Sequence, residues 1–496
     1  MKAFVQVSPS WLNLPMRVRR DHVARLGRVI ALRQQEIAHT VTEETGRPIT
    51  EVINQEVTAA LEMLRFSGKM APRWLRDERF RYWRPGFWAK SNTIRFEPLG
   101  VILIIGPSNF PFSLPVMQAC AALLCGNRVV IKPSERCPRT ASWIGSLFAE
   151  AGMPADAVEV AAGGPDVAAR LIARGDVQKV IFTGSSETGR KVAEACGRAF
   201  KPCILELGGG SSAIVCEDAD LSLAARGIAW SAFYANGRSC VGAKRVLVHT
   251  NVSSRFLDLL TKEMAAIKVG NPTDPATEVG VLSAGTAVEK ARELFRDAIS
   301  KGAQVWSPEG PLNDPDSAGF QVPLVLFAAT LEMRIMQEES QWPLLAIREV
   351  SHDEQALREA NQSTSGLGAS VWSRNLKRAH ALAREIQTGM VWINDSSVGL
   401  PQFPWGGRKL SGWGRLFSRY GLMELTNIKV ISSERQRLSK SKMWWFPYSR
   451  DKFAVFGAAN DWYSHSHRAR TLKRLISALR RVKNGDSKFE IRNSRF

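Results

Sequence analysis

The sequence predicts an α/β protein, with parallel sheets carrying helices on both faces. Three observations support this. From 101 to about 205, short apolar runs alternate with helical stretches. A second alternation follows from about 206 to 400. Residues 16–78 repeat their apolar positions every three or four residues, with Val23, Leu26, Val29, Ile30 and Leu32 on one helical face.

The elements follow in order. Residues 79–97 are aromatic and β-branched and break at Pro85-Gly86, so they read as two strands around a turn. Next come a strand at 101–105, a helix near 115–125, a strand at 129–132, a helix near 140–151, strands at 157–161 and 180–183, and a helix from about 187. The second stretch has strands at 245–249, 322–327, 369–372 and 391–394. Residues 401–415, rich in Gly, Pro and Trp, form a loop, and 427–432 is one more strand.

Composition bounds the function. With 496 residues, 45% apolar and 23% charged, the chain can bury a large core, which excludes wholesale disorder and a small disulfide-stapled scaffold. Its seven cysteines are odd in number and contain no C-x-x-C pair. A disulfide framework and a structural zinc site are therefore not expected, no metal is assigned, and a reducing, cytoplasmic setting is. The N-terminus has no secretory h-region and no 18-residue apolar run occurs, so the chain is not expected to span a membrane.

The net charge of +20 calls for an anionic partner, and it is concentrated at one end. Residues 431–496 hold 16 lysines and arginines against 5 acidic residues, a net of +11. There Leu472, Leu475, Ile476, Leu479 and Val482 share a helical face, Lys473, Arg474, Arg480, Arg481 and Lys483 fall mostly elsewhere, and Trp444-Trp445-Phe446-Pro447-Tyr448 lies upstream. A basic amphipathic helix beside an aromatic cluster suits an anionic membrane surface. A solvated tail or a helix packed on a partner subunit gives the same pattern. No nucleic-acid module is present, so no nucleic acid is assigned.

Five stretches carry chemistry. A cysteine is most often a small buried hydrophobe, but Cys240 follows the small, polar Asn236-Gly237-Arg238-Ser239, a turn that presents a nucleophile. Glu206 stands at the exit of an apolar strand before three glycines, where partial burial makes a carboxylate a base. Asn109, in the loop after the 101–105 strand, offers amide N–H donors of the kind an oxyanion needs. Gly184-Ser185 opens a helix after a strand, which makes an anion site from free N–H groups and the helix dipole. Lys132 and Glu135 at a strand end can grip ribose hydroxyls, and the acidic residue favours NAD over NADP.

Together the stretches GPSNFPF (106–112), KPSE (132–135), FTGSSETG (182–189), LELGG (205–209), FYANGRSCVGAKR (233–245), MQEES (336–340), GLGASVW (366–372), GMVWIN (389–394) and PWGGRKLSGWGR (404–415) resemble the aldehyde dehydrogenase superfamily over roughly 15–433. The family's 34-residue separation between base and nucleophile is kept between Glu206 and Cys240. The resemblance implies a Rossmann-like NAD-binding domain (1–78 and 98–205), an α/β catalytic domain (206–415) and a small bridging and oligomerisation sheet (79–97 and 416–433), leaving 434–496 as a basic tail. It implies oxidation of an aldehyde to an acid with NAD, NADP being possible, in a homodimer or homotetramer. Cys240 is then the nucleophile, Glu206 the base that activates water, and Asn109 with the Cys240 N–H the oxyanion donors. Lys132 and Glu135 hold the adenosine ribose, Gly184 and Ser185 the pyrophosphate, and Glu339 the nicotinamide-side ribose, while Asn394 orders the catalytic loop.

The late start of GPSNFP and the WWFPYS tail resemble the fatty-aldehyde and coniferyl-aldehyde branch, with Phe110, Leu114, Met117, Leu400 and Trp405 lining an apolar tunnel, some members acting at membranes. The +20 charge and Arg238 leave open a small acidic semialdehyde as substrate. The family pattern is broken at Gln341 and Trp342, where it has phenylalanine and glycine, and this leaves open a non-catalytic membrane-associated scaffold.

Overall fold

The structure is a computed structural model that describes residues 10–81, 90–280, 286–310, 322–434, 443–464, 470 and 472–482. It divides into two units: Met1–Asp77 with Ile94–Lys429, and Glu78–Thr93 with Val430–Phe496.

Val101–Ile105, five consecutive buried β-branched or leucine residues, is an inner strand of a six-stranded sheet in the first unit. A strand buried on both faces reads as a continuous apolar run rather than an alternating one. The sheet runs Gly412–Trp413, Cys203–Leu207, Val177–Gly184, Val101–Ile105, Arg128–Lys132, Val158–Val160. All pairs are parallel except the edge strand Gly412–Trp413. From Val101–Ile105 the chain adds strands first on one side and then on the other. In open parallel sheets, ligands bind at the carboxyl ends of the strands where that reversal occurs. Ile104 is fully buried there, and trimming it to alanine would cost roughly 2–5 kcal/mol.

A seven-stranded sheet follows, in the order Gln304–Trp306, Leu324–Phe327, Leu344–Val350, Ala243–His249, Ser211–Val215, Gly368–Trp372, Met390–Ile393. Its edge strand Gln304–Trp306 is antiparallel and the rest are parallel. The helical N-terminal region, Met16–Leu32 through Ala59–Trp74, shares its core with the first sheet through Leu26, Ile30, Val57, Ile102 and Ile131.

The loop expected at 401–415 contains two short strands, Arg408–Lys409 and Gly412–Trp413. The second binds the outer edge of Cys203–Leu207 and pairs Gly412 with Glu206. A sequence-level reading missed them because each is two residues long.

A small sheet has the order Glu78–Phe80, Lys90–Pro98, Thr426–Glu434. The Pro85-Gly86 turn lies outside the described residues. In the second unit, helix Arg450–Tyr463 packs on a helical stretch at 472–482. The single apolar face expected there is split. Leu475, Ala478 and Val482 pack with Val455, whereas Leu472, Ile476 and Leu479 stay exposed. Lys483 lies outside the described residues. Among the described residues no helix is long and apolar enough to cross a membrane.

Candidate active site

The first sheet contributes loops from its carboxyl ends, and the second contributes turns that enter its strands. Both sets line one cavity of about 980 Å³. Cys240 lies three residues before Ala243–His249, Glu339 five before Leu344–Val350, and Gly208 directly follows Cys203–Leu207. Cys240, Glu206, Asn109, Lys132, Glu135, Gly184, Ser185 and Glu339 all reach this cavity, although their stretches are far apart in sequence. So do Phe110, Leu114, Met117, Leu400 and Trp405.

The turn before Cys240 is strained. Ala235, Asn236 and Gly237 have φ of 54°, 53° and 71°, three left-handed residues in a row, two of them not glycine. Neighbouring groups hold them. Glu51 Oε2 accepts from the Ala235 N–H at 2.6 Å, and Asn236 Nδ2 donates to Gly46 O at 2.8 Å. At Gly237 a Cβ would lie 2.4 Å from the Pro343 nitrogen, so only glycine fits. Asn109 Nδ2 donates to Arg238 O at 3.0 Å, which fixes the amide against the nucleophile turn and leaves its second N–H for another acceptor.

Burial pushes the Cys240 thiol up to about 12; Glu339 and Glu206 add to this, while its own backbone N–H and Lys244 oppose it. Arg238 does not help. Its guanidinium turns to the carbonyls of Thr45 and Ala235, and it does not line the cavity. Glu206 is buried, and neither carboxylate oxygen has a hydrogen-bond partner among the described residues. Burial raises it well above the ordinary carboxylate value, with Arg415 opposing. A protonatable, unpaired carboxyl facing a cavity has the character of a base.

The same cavity is lined by the residues expected to hold a dinucleotide. The Lys132 ammonium is buried and gives one of its three donors to Glu135 Oε2, at 2.6 Å. Burial raises Glu135, but the Lys132 bond and nearby charges outweigh this and hold it below the usual carboxylate value. Ser185 caps helix Ser186–Arg198, its Oγ accepting from the Thr188 N–H, beside the bare backbone of Gly184. Glu339 lies over the backbone of Gly208, where a Cβ would be 1.7 Å from its Oε2. Burial pushes Glu339 up to about 7, against Lys244 and the Gly209 N–H. Lys132, Glu135, Ser185 and Glu339 thus bring hydroxyl, ammonium and carboxylate groups to the cavity, which Pro165, Ala168, Ile172 and Val192 also line.

Asn394 is placed differently from expectation. Both ends of its amide bond the backbone of Ser373, at 2.9 Å each, so it pins the exit of Gly368–Trp372 rather than the catalytic loop. Of the unusual pair, Trp342 is buried in the core of the second sheet while Gln341 faces the cavity. Sequence reading missed Lys244, Gln118 and Phe417. Lys244 is fully buried in the strand Ala243–His249, and burial lowers it to about 8. Gln118 donates to Thr183 Oγ1 at 3.1 Å, and Phe417 lines the cavity with a φ of 58°. Lys244 fell one residue before the strand expected at 245–249, and the observed strand Ala243–His249 takes it in.

Comparison with known proteins agrees with this geometry. The aldehyde dehydrogenase family profile matches residues 1–431. The chain is 34% identical over 449 residues to the 4,4'-diapolycopene aldehyde oxidase of a Methylomonas species, covering 90% of this chain and 83% of that protein. It is 34% identical over 435 residues to the NADP(+) succinate-semialdehyde dehydrogenase of Deinococcus radiodurans, covering 86% and 88%. Among solved structures, the indole-3-acetaldehyde dehydrogenase of P. syringae in complex with NAD+ and IAA superposes with a TM-score of 0.80 at 31% identity, covering 86% of each chain. The succinic semialdehyde dehydrogenase of Streptococcus pyogenes in complex with NADP+ gives 0.80 at 29% identity, covering 86% and 92%. The chain belongs to the aldehyde dehydrogenase family and is an NAD(P)-dependent oxidoreductase acting on aldehydes.

Proposed function

We propose that the chain oxidises an apolar, long-chain or aromatic aldehyde to its carboxylic acid through a thioester on Cys240. The observation that carries this is the convergence of Cys240, Glu206 and Asn109, from three separate stretches, on one cavity that Phe110, Leu114, Met117, Leu400 and Trp405 also line. Cys240 loses its thiol proton to solvent, and its sulfur adds to the aldehyde carbon as the C=O π pair moves onto the oxygen. The Asn109 amide and the Cys240 N–H hold the oxyanion, each such donor contributing roughly 10²–10³ in rate. Bound NAD or NADP would supply the hydride acceptor that turns this adduct into the thioester. Glu206 then takes a proton from the water that cleaves the thioester, and the acid leaves with Cys240 restored. Lys132 and Glu135 hold the adenosine ribose, Gly184 and Ser185 the pyrophosphate, and Glu339 the second ribose. In this reading 1–78 and 98–205 bind the cofactor, 206–415 carries catalysis, and 79–97 with 416–433 bridges subunits.

Arg238, which could have attracted a carboxylate, is engaged by Thr45 and Ala235, which favours apolar over acidic aldehydes. A panel of straight-chain, aromatic and ω-carboxylate aldehydes, each with NAD and with NADP, tests this. Higher kcat/KM for long or aromatic aldehydes is expected; a maximum at short acidic ones would overturn the substrate class.

Oligomerisation is supported by the edge strand Thr426–Glu434, which exposes Ile428, Val430 and Ile431. Light scattering on the intact chain should give a dimer or tetramer. Peripheral binding to an anionic membrane is supported by exposed Trp445, Phe446, Tyr448 and Phe453 within the basic tail.

A further inference from the structure

A buried ion cluster lies behind the site, outside the residues assigned above. The Arg47 side chain is fully buried. Its Nε pairs with Glu51 Oε1 at 2.8 Å, and its Nη1 pairs with Glu56 Oε1 at 2.6 Å. The same Nη1 donates to Asn109 O at 2.9 Å, and the guanidinium lies 4.3 Å over the Phe110 ring. The second oxygen of each glutamate continues the chain of contacts. Glu56 Oε2 accepts from the Phe112 and Ser113 N–H groups, at 3.2 and 2.6 Å, and Glu51 Oε2 holds the strained Ala235 N–H at 2.6 Å. One guanidinium thus ties together the loop that carries Asn109 and the turn that carries Cys240.

The helix supplying the glutamates is shaped for this. On an α-helix, residues five apart point about 140° away from each other. Here Ile49–Val52 runs into a π-helix at Ile53–Thr58, whose wider turn reduces the angle between Glu51 and Glu56. Glu51 and Glu56 therefore both reach Arg47.

We propose that Arg47, Glu51 and Glu56 form a positioning clamp that sets the Asn109 amide and the Cys240 turn in register for oxyanion formation. The proposal rests on the oxyanion role given to Asn109 above. A misplacement of about 1 Å can cost roughly 10²-fold in rate, and lysine keeps the charge of Arg47 but not its fork.

The test uses the full chain with an aldehyde and NAD+, comparing wild type, Arg47→Lys, Asn109→Ala and the double variant, with unfolding temperature and the KM for NAD+ measured alongside. Arg47→Lys should lower kcat roughly 10–100-fold with the KM for NAD+ within about twofold. If Arg47 acts through Asn109, the double variant should be no slower than Asn109→Ala alone, to within about threefold. A folded Arg47→Lys chain with wild-type kcat would overturn the clamp, and losses that multiply in the double variant would overturn its action through Asn109. Full activity in Asn109→Ala would instead overturn the oxyanion role. Should Arg47→Lys fail to fold, Glu51→Gln decides. It loosens the Ala235 bond and should slow both turnover and iodoacetamide alkylation of Cys240 about tenfold; unchanged rates of both would reject the clamp.

Discussion

Glu206 is the residue whose environment is most at odds with stability. It is buried, its oxygens have no partners among the described residues, and its affinity for a proton is raised. Because its folded pKa exceeds its unfolded one, the native state holds the proton more tightly. Stability therefore falls as pH rises from the ordinary carboxylate value through the raised one. The base role proposed for Glu206 needs the opposite state, since a base works only when deprotonated. Turnover should accordingly climb with pH through the raised pKa of Glu206. Glu206→Gln should flatten that limb, lower steady-state turnover by roughly 10²-fold or more and raise the unfolding temperature above pH 7. A variant less stable than wild type at that pH would contradict the reading of an unpaired buried carboxylate. Cys240 adds a second alkaline limb, because its thiol is pushed up to about 12.

At the scale of elements, the sequence makes most of the first sheet legible because its strands are short, apolar and separated by helices. The strand at 101–105 occupies the predicted residues, and 129–132 and 180–183 lie within Arg128–Lys132 and Val177–Gly184. The site was legible for the same reason, since Asn109, Gly184 and Lys132 fall where a strand ends, and loops there carry function. What escaped was non-local or very short. Ser211–Val215 follows three glycines, with small Ser211 and Ser212 at its start, and gave little apolar signal. Leu344–Val350 sat behind the unusual Gln341-Trp342. The pairing of Gly412 with Glu206 joins residues about two hundred positions apart, which no local pattern encodes. The Arg47 clamp was invisible too, because a π-turn leaves no clear signature in an amphipathic helix and the partners meet only after folding.

At the scale of the molecule, more than half of the net charge lies in 431–496, alongside the exposed Trp445, Phe446, Tyr448 and Phe453. Phe453 is 81% and Phe446 79% exposed, and the proposed membrane role would bury both rings. Phe446→Ser with Phe453→Ser should weaken sedimentation with phosphatidylserine vesicles while turnover of a short soluble aldehyde stays within about twofold. Equal vesicle binding by the variant would reject the membrane role. The split face of the 472–482 helix shows why its pattern was ambiguous: one row packs on its neighbour, and the other remains available.

The central claim is that catalysis passes through an acyl group on Cys240 that Glu206 helps water to remove. Mass spectrometry on Glu206→Gln protein, mixed with an aldehyde and quenched in acid, tests it directly. The account predicts an acyl mass on the peptide containing Cys240 when NAD+ is present and none when it is omitted. No adduct, or one confined to another cysteine, would contradict it.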